Sequence, residues 1–286
     1  ADTAMYEAKA AGRRTYKFFT ANMNEVAQEK MALESELRAA IENDEFEIYY
    51  QPIIDLNTGQ ITGTEALVRW NHPTRGFTSP DVFIPLAEEQ GLIVHIGEWV
   101  LRKACTMAHQ WRQNGRDDLQ MAINVSPRQC QEPGFEKLVD LILEETELPP
   151  NCITLEITEN LFIEGADEDA ITALHNRRKK GMLLSLDDFG TGYSSLSYLK
   201  RFPVDVLKID REFVNDVTTA AKDQALCQAV IAMAHAFNLN VVGEGVETIE
   251  HAKILHEMGC DRAQGYLFSK PLPADDLNKG LYQITS

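Results

Sequence analysis

Residues 46–70 read FEIYYQPIIDLNTGQITGTEALVRW, two apolar and aromatic runs joined by Asn57-Thr58-Gly59. That turn predicts an antiparallel hairpin, because Asn and Gly accept the backbone a tight connection demands. Beyond it the pattern changes. LQMAINVS from Leu119, CITLEIT from Cys152, MLLSLD from Met182, DVLKID from Asp205 and LNVVGE from Leu239 are short and mostly apolar, as strands buried on both faces are. Helical stripes separate them: Ile96, Val100, Ala104, Met107 and Trp111; Phe135, Leu138, Val139, Ile142 and Leu143; Ala225, Ala229, Met233 and Phe237. This alternation predicts an α/β fold with a parallel barrel, an open doubly wound sheet being the alternative. The opening hairpin means that this barrel, spanning 45–286, is not a regular eightfold repeat. Upstream, residues 21–44 place Met31, Leu33, Leu37 and Ile41 near helical spacing, a connector helix. Residues 1–20 are too few to own a core and read as the end of something larger.

The chain has 286 residues, 44% hydrophobic and 25% charged, which excludes disordered and collagen-like classes. Lys and Arg number 27 against 44 Asp and Glu, a net charge of −17 that argues against duplex nucleic acid as a partner. A small anionic ligand stays open, since surface charge is screened over about 8 Å and a metal or basic pair dominates inside a pocket. The five cysteines are scattered without a C-x-x-C, so reduced thiols and a cytoplasmic location are expected. No apolar run approaches the roughly 18 residues of a membrane span, and no signal peptide pattern is present. The missing initial Met fits a segment of a longer protein, whose other parts could be membrane-anchored.

The informative residues are polar ones at strand ends. Glu65 follows QITGT, Asn124 follows LQMAI, Glu156 lies in CITLEIT, Asp187 and Asp188 end MLLSL, Lys208 lies in DVLKID, and Glu244 ends LNVVG. In a barrel the carboxyl ends of parallel strands converge on one face, so these positions can share a site. Taken singly, each also fits a helix cap, a loop or a buried ion pair. Together, the carboxylates are untenable without protons or cations, since two charges about 4 Å apart repel by about 4 kcal/mol at a dielectric of 20. Oxygen ligands without His or Cys favour magnesium, manganese or calcium. The pair Asp187-Asp188 suits two neighbouring ions, the usual apparatus for in-line displacement at a phosphodiester.

Other motifs carry less. The glycine-containing turn from Asp188 to Ser195 is a strand-to-helix connection or a phosphate-contacting loop; neither it nor Gly243-Glu244-Gly245 completes a dinucleotide fingerprint. Arg177-Arg178-Lys179-Lys180 before Gly181 fits a helix carboxyl end. His251 and His256, five residues apart on a predicted helix, point to different faces and read as structural.

Glu65-Ala66-Leu67-Val68-Arg69-Trp70 resembles the signature of the EAL family of cyclic di-GMP phosphodiesterases. It is joined in family order by Asn124-Val125-Ser126, Glu156-Ile157-Thr158-Glu159, Asp187-Asp188-Phe189-Gly190-Thr191-Gly192, Lys208-Ile209-Asp210, Glu244-Gly245-Val246-Glu247 and Gln264-Gly265-Tyr266, over about residues 27–280. The resemblance implies a modified TIM-type (β/α)8 barrel opening with an antiparallel hairpin, which hydrolyses cyclic di-GMP to linear pGpG by attack of an activated water, with two Mg2+ or Mn2+ ions. Glu65, Asn124, Glu156 and Asp187 would hold one ion, and Asp187, Asp188 and Glu244 the other. Lys208 would orient the water, with Glu247 and Gln264 supporting water, metal and substrate. Gln51, Leu67, Arg69 and Asp210 match substrate-contacting positions, Arg69 offering a charge-assisted fork to phosphate. Glu159 matches a residue anchoring the turn after Asp188, which family members use to couple dimerisation to metal binding, so a homodimer is implied. One departure is Gly243, where Ala is commoner. A catalytically silent cyclic di-GMP receptor is the alternative, and the presence of every expected ligand argues against it. Residues 1–20 resemble the carboxyl end of a GGDEF diguanylate cyclase domain without its signature, implying a tandem GGDEF-EAL parent with upstream sensory domains.

Overall fold

The computed structural model describes residues 21–158, 168–190 and 202–281. Residues 1–20, where a GGDEF remnant was expected, Glu159 and the Thr191–Ser195 part of the glycine turn lie outside the described residues. In chain order the elements are α1 (Ala21–Glu42), β1 (Phe46–Asp55), β2 (Ile61–His72), β3 (Gly76–Thr78), α2 (Pro80–Gln90), α3 (Ile93–Gln113), β4 (Gln120–Asn124), α4 (Pro127–Gln131), α5 (Phe135–Glu145), β5 (Ile153–Thr158), α6 (Glu168–Lys179), β6 (Leu183–Phe189), β7 (Val206–Ile209), α7 (Arg211–Asn215), α8 (Ala221–Ala236), β8 (Asn240–Gly243), α9 (Ile249–Glu257), β9 (Arg262–Ala263), β10 (Leu272–Pro273) and α10 (Ala274–Leu281). They divide into two compact units, one drawn from Ala1–Glu47 and Arg69–Ile93, the other from Ile48–Val68 and Val94–Ser286.

The larger unit is the barrel. The predicted hairpin turns at Asn57-Thr58-Gly59, where the Asp55 carboxylate accepts the amides of Asn57 and Thr58 at 3.0 and 2.8 Å and Gly59 takes φ +70°. From β2 through β4 to β9 each strand pairs parallel with the next. β1 lies antiparallel against β9 and also pairs with β2, which closes a ring of eight strands. The modified TIM-type barrel is therefore the observed fold, and ring closure excludes the open doubly wound sheet. β5 shows why its sequence is so apolar: Ile153 to Ile157 are all buried, one face on the barrel interior and the other on the helical jacket.

One expectation needs correction. On α8 the stripe Ala225, Ala229, Met233 and Phe237 does not face the core; Ala225 and Ala229 are exposed, and the buried face is Cys227, Ile231 and Ala234. A strict four-residue step advances about 40° per turn on a helix of 3.6 residues per turn, so such a stripe drifts off the face it starts on. The helix expected upstream is α1, on which Leu37 and Ala40 are the buried anchors while Met31 is 72% exposed.

In the smaller unit Trp70 is fully buried, its ring 5.9 Å from that of Phe46 and 5.6 Å from that of Phe83, and its Nε1 donates to Glu45 at 2.9 Å. His72 Nδ1 accepts the amides of Thr74 and Arg75 at 3.1 Å each, while Glu36 of α1 pairs with His72 Nε2 at 3.2 Å and Arg75 Nε at 2.9 Å. All five cysteines are free and buried. Among the described residues no helix is long and apolar enough to cross a membrane.

Candidate functional site

Inside the barrel Ile53, Ala122, Val206 and Val242 pack as a buried apolar cluster. Strand side chains alternate faces with period two, so the next inward residue on each strand lies one layer nearer the mouth. Those residues are Gln51 on the reversed β1, Asn124 on β4, Lys208 on β7 and Glu244 just past β8. The same step from Gly63, Thr154 and Ser185, all buried, leads to Glu65, Glu156 and Asp187. A polar layer thus rests on an apolar floor at the carboxyl ends of the strands, where βα-barrel sites are built.

Lys208 is the centre of this layer. Its Nζ lies 2.7 Å from Glu244 Oε1, 3.0 Å from Glu156 Oε2, 3.2 Å from Asp187 Oδ1 and 3.6 Å from Glu65 Oε2. Its side chain is 1% exposed. Glu65 is held from both sides, Asn124 Nδ2 donating to Oε1 at 2.6 Å and Gln264 Nε2 to Oε2 at 2.7 Å. Gln264 Nε2 also donates to Gln51 Oε1 at 3.0 Å, and Gln51 Nε2 donates to the Ser269 carbonyl at 3.1 Å. Asp187, Asp188 and Glu244 each bring a carboxylate oxygen within 4.8 Å of the others.

Burial and mutual repulsion show in the acidities. Burial pushes Glu244 up to about 8 against the pull of Lys208. Burial also raises Asp188 to about 6, with Asp187 and Asp210 adding repulsion. Glu156 stands well above the usual carboxylate range and Asp187 is raised, burial being the main cause in both. Glu65 behaves oppositely: burial disfavours its charge, yet Lys208 and the bonds from Gln264 and Asn124 hold it below its ordinary value. Burial likewise works against the charge of Lys208, but the surrounding carboxylates keep it well above the usual lysine range.

One ammonium does not offset Glu65, Glu156, Asp187, Asp188 and Glu244. The residual negative charge, the all-oxygen carboxylate donors and the buried Gln264 Oε1, which has no hydrogen-bond partner, fit hard divalent cations.

The remaining sequence candidates fall in different places. Asp210 caps α7, accepting the Glu212 amide at 2.7 Å, beside Asp188. Leu67 is half-buried on β2, and Arg69 is half-buried on the part of β2 that belongs to the smaller unit. Glu247 is exposed in the loop after β8 and makes none of the contacts that join the cluster. Arg177, at 1% exposure, pairs with Asp140 and Glu136 of α5, and Arg178 with Asp205 at 2.8 Å, so these two basic residues are structural. His251 is buried and His256 exposed on α9, on different faces as expected.

One feature escaped the sequence reading, and another noted there gains its physical reason. The first is the rim segment from Gly265 to Ser269, folded back so that the Leu267 amide bonds the Val246 carbonyl at 2.9 Å. A Cβ on Gly265 would lie 2.1 Å from that carbonyl oxygen, so only glycine permits the approach. The other is Gly243: a Cβ there would come 2.7 Å from Leu255 Cδ1, so in this chain Leu255 fills the methyl's place.

Residues 34–271 match the family model described as the EAL domain. The bifunctional diguanylate cyclase/cyclic di-GMP phosphodiesterase MucR of Pseudomonas aeruginosa is 43% identical over 97% of this chain and 40% of its own length. The cyclic di-GMP phosphodiesterase NbdA of the same organism is 42% identical over 98% of this chain and 36% of its own. The structure of the PaMucR phosphodiesterase in complex with c-di-GMP superimposes with a TM-score of 0.82 at 41% identity, covering 86% of this chain and 99% of that one. The chain spans about two-fifths of the length of these curated relatives.

Proposed function

The chain belongs to the EAL domain family, and on that premise we propose that its barrel hydrolyses cyclic di-GMP to linear pGpG. The observation that carries the reading is the ring of carboxylates around Lys208 at the barrel mouth, with Asp187, Asp188 and Glu244 mutually within 4.8 Å. Glu65, Asn124, Glu156 and Asp187 would hold one divalent cation, and Asp187, Asp188 and Glu244 a second. When bound, Mg2+ or Mn2+ would supply Lewis-acid polarisation of the phosphodiester and make a water acidic enough to attack near neutral pH.

The chain's own groups do the rest. Lys208 presents N–H donors from a dry position, able to fix a water or a phosphate oxygen at a set distance. Gln264, with its Nε2 committed to Glu65 and Gln51, keeps Oε1 as the acceptor for a donor on that water or on the substrate. Asp210 and Leu67 line the substrate side, and the sequence motif assigns Arg69 to the phosphate. In the reaction one oxygen of water joins phosphorus as one bridging P–O3′ bond breaks. One water proton is lost to the site and the departing 3′ oxygen gains one, which leaves a 5′-phosphate and a free 3′-hydroxyl.

A preceding GGDEF domain, pairing of two copies and a cytoplasmic setting belong to the same proposal; the dual name of MucR supports the first. The test is incubation of the purified chain with cyclic di-GMP and Mg2+ or Mn2+, with an EDTA control, and chromatography of the nucleotides. Metal-dependent pGpG is the expected product. Tight nucleotide binding without product in any metal would replace the hydrolase reading with that of a silent receptor.

A further inference from the structure

Lys208 faces the oxygens that the proposed cations would need. Its contacts reach Glu65 and Glu156 of one proposed ligand set, Glu244 of the other, and Asp187, which both sets share. An ammonium has three N–H donors, so these four carboxylates saturate it. The side chain is 1% exposed and rises one residue from the carboxyl end of β7, so its ammonium is turned to these carboxylates and not to bulk water. A doubly charged ion drawn to the same oxygens repels the ammonium at close range, and the low local dielectric strengthens that repulsion.

We infer that Lys208 is a built-in competitor of the divalent cations, a resident counter-ion that holds the carboxylate ring together and holds cation affinity down. With cations bound, the Lys208 ammonium would give up part of the ring and turn its N–H donors toward the space where water and phosphodiester would lie. This second role rests on the metal assignment above and is separate from any part Lys208 plays in turnover.

The test needs no turnover. Lys208→Met keeps the unbranched side chain to within one atom of its length and removes the charge. Mn2+ binding to the parent and the variant is compared by calorimetry at fixed pH and ionic strength, beside thermal melts in chelator and in Mn2+. The variant is expected to bind Mn2+ at least tenfold more tightly, to melt lower in chelator and to recover more than the parent when Mn2+ is added. Equal or weaker affinity in the variant, with normal binding by the parent, overturns the competition while leaving the metal reading intact. If neither chain binds Mn2+ or Mg2+, the metal reading itself falls and takes the inference with it. Should the variant not fold, the parent decides: with lysine 15N-labelled, the Lys208 Nζ resonance should move in step with Mg2+ saturation, and a resonance unchanged at saturation refutes the displacement.

Discussion

Asp187 and Asp188 are consecutive on β6, yet each brings a carboxylate oxygen to the same group with Glu244. Regular strand geometry forbids this, because neighbouring side chains point to opposite faces. Two departures permit it. The pairing of β6 with β7 shifts register between Leu186 and Phe189, and Asp188 adopts φ +54°. A bulge re-aims a side chain, and Asp tolerates the left-handed region better than most residues. The strand is bent so that one residue pair can serve two neighbouring positions.

Replacing Asp188 should therefore separate function from stability. Asp188→Gly removes a carboxylate and relieves a left-handed backbone that costs a non-glycine residue about 1 kcal/mol. We expect turnover to fall at least about a hundredfold, equivalent to about 2.7 kcal/mol in the barrier, with thermal stability in chelator unchanged or higher. A clear loss of stability would mean that Asp188 holds the bend instead of merely tolerating it.

Glu65 sits where three supports meet: Asn124, Gln264 and Lys208. Glu65→Ala should abolish measurable pGpG formation, and calorimetry should show weakened Mn2+ binding. Glu65→Gln keeps the size but sets its own amide against that of Asn124 or Gln264, so it should rescue little. Parent-like hydrolysis by the alanine variant would remove Glu65 from the proposed ligand set.

Much of this site was legible because barrel strands are written as apolar runs, and a carboxylate ending such a run has few structural excuses. Glu65, Glu156, Asp187, Lys208 and Glu244 stood out for that reason, and the hairpin announced itself in Asn57-Thr58-Gly59. The eighth strand did not: β9 is Arg262–Ala263, two residues long, too short for any periodicity to register. The bulge at Asp188 was equally hidden, since the φ of a single residue leaves no pattern. Glu247 matched its motif by spacing, but spacing does not say which way a loop residue faces, and it is exposed.

Gln51 was read as a substrate contact, and the structure gives its amide a further task. Its Oε1 accepts from Gln264 and its Nε2 donates to the Ser269 carbonyl, tying the rim segment to the Glu65 cluster. Supporting contacts of this kind cost about 10- to 100-fold when lost. Gln51→Ala should lower kcat by about that much, with Mn2+ affinity nearly kept. A rise in KM at constant kcat would return Gln51 to a purely substrate-binding role.

The raised pKa values set a pH dependence whose sign follows from proton counts. Glu244 titrates at about 8 and Asp188 at about 6 in the folded chain, against about 4.3 and 3.9 for unperturbed Glu and Asp. Between those limits the folded state binds more protons than the unfolded one, so stability falls as pH rises. Each group contributes at most about 1.4 kcal/mol per pH unit within its window. Glu65, whose value is lowered, acts in the opposite sense but only below the ordinary carboxylate range. In chelator, the melting temperature should therefore decline from about pH 5 to pH 8 and then level off. Saturating Mg2+ should flatten or reverse the decline, because the cation favours the ionised carboxylates that protons otherwise neutralise. Glu244→Gln should remove the upper part of the slope, between about pH 6 and 8; an unchanged slope in that variant would assign the titration to Glu156 or Asp187 instead.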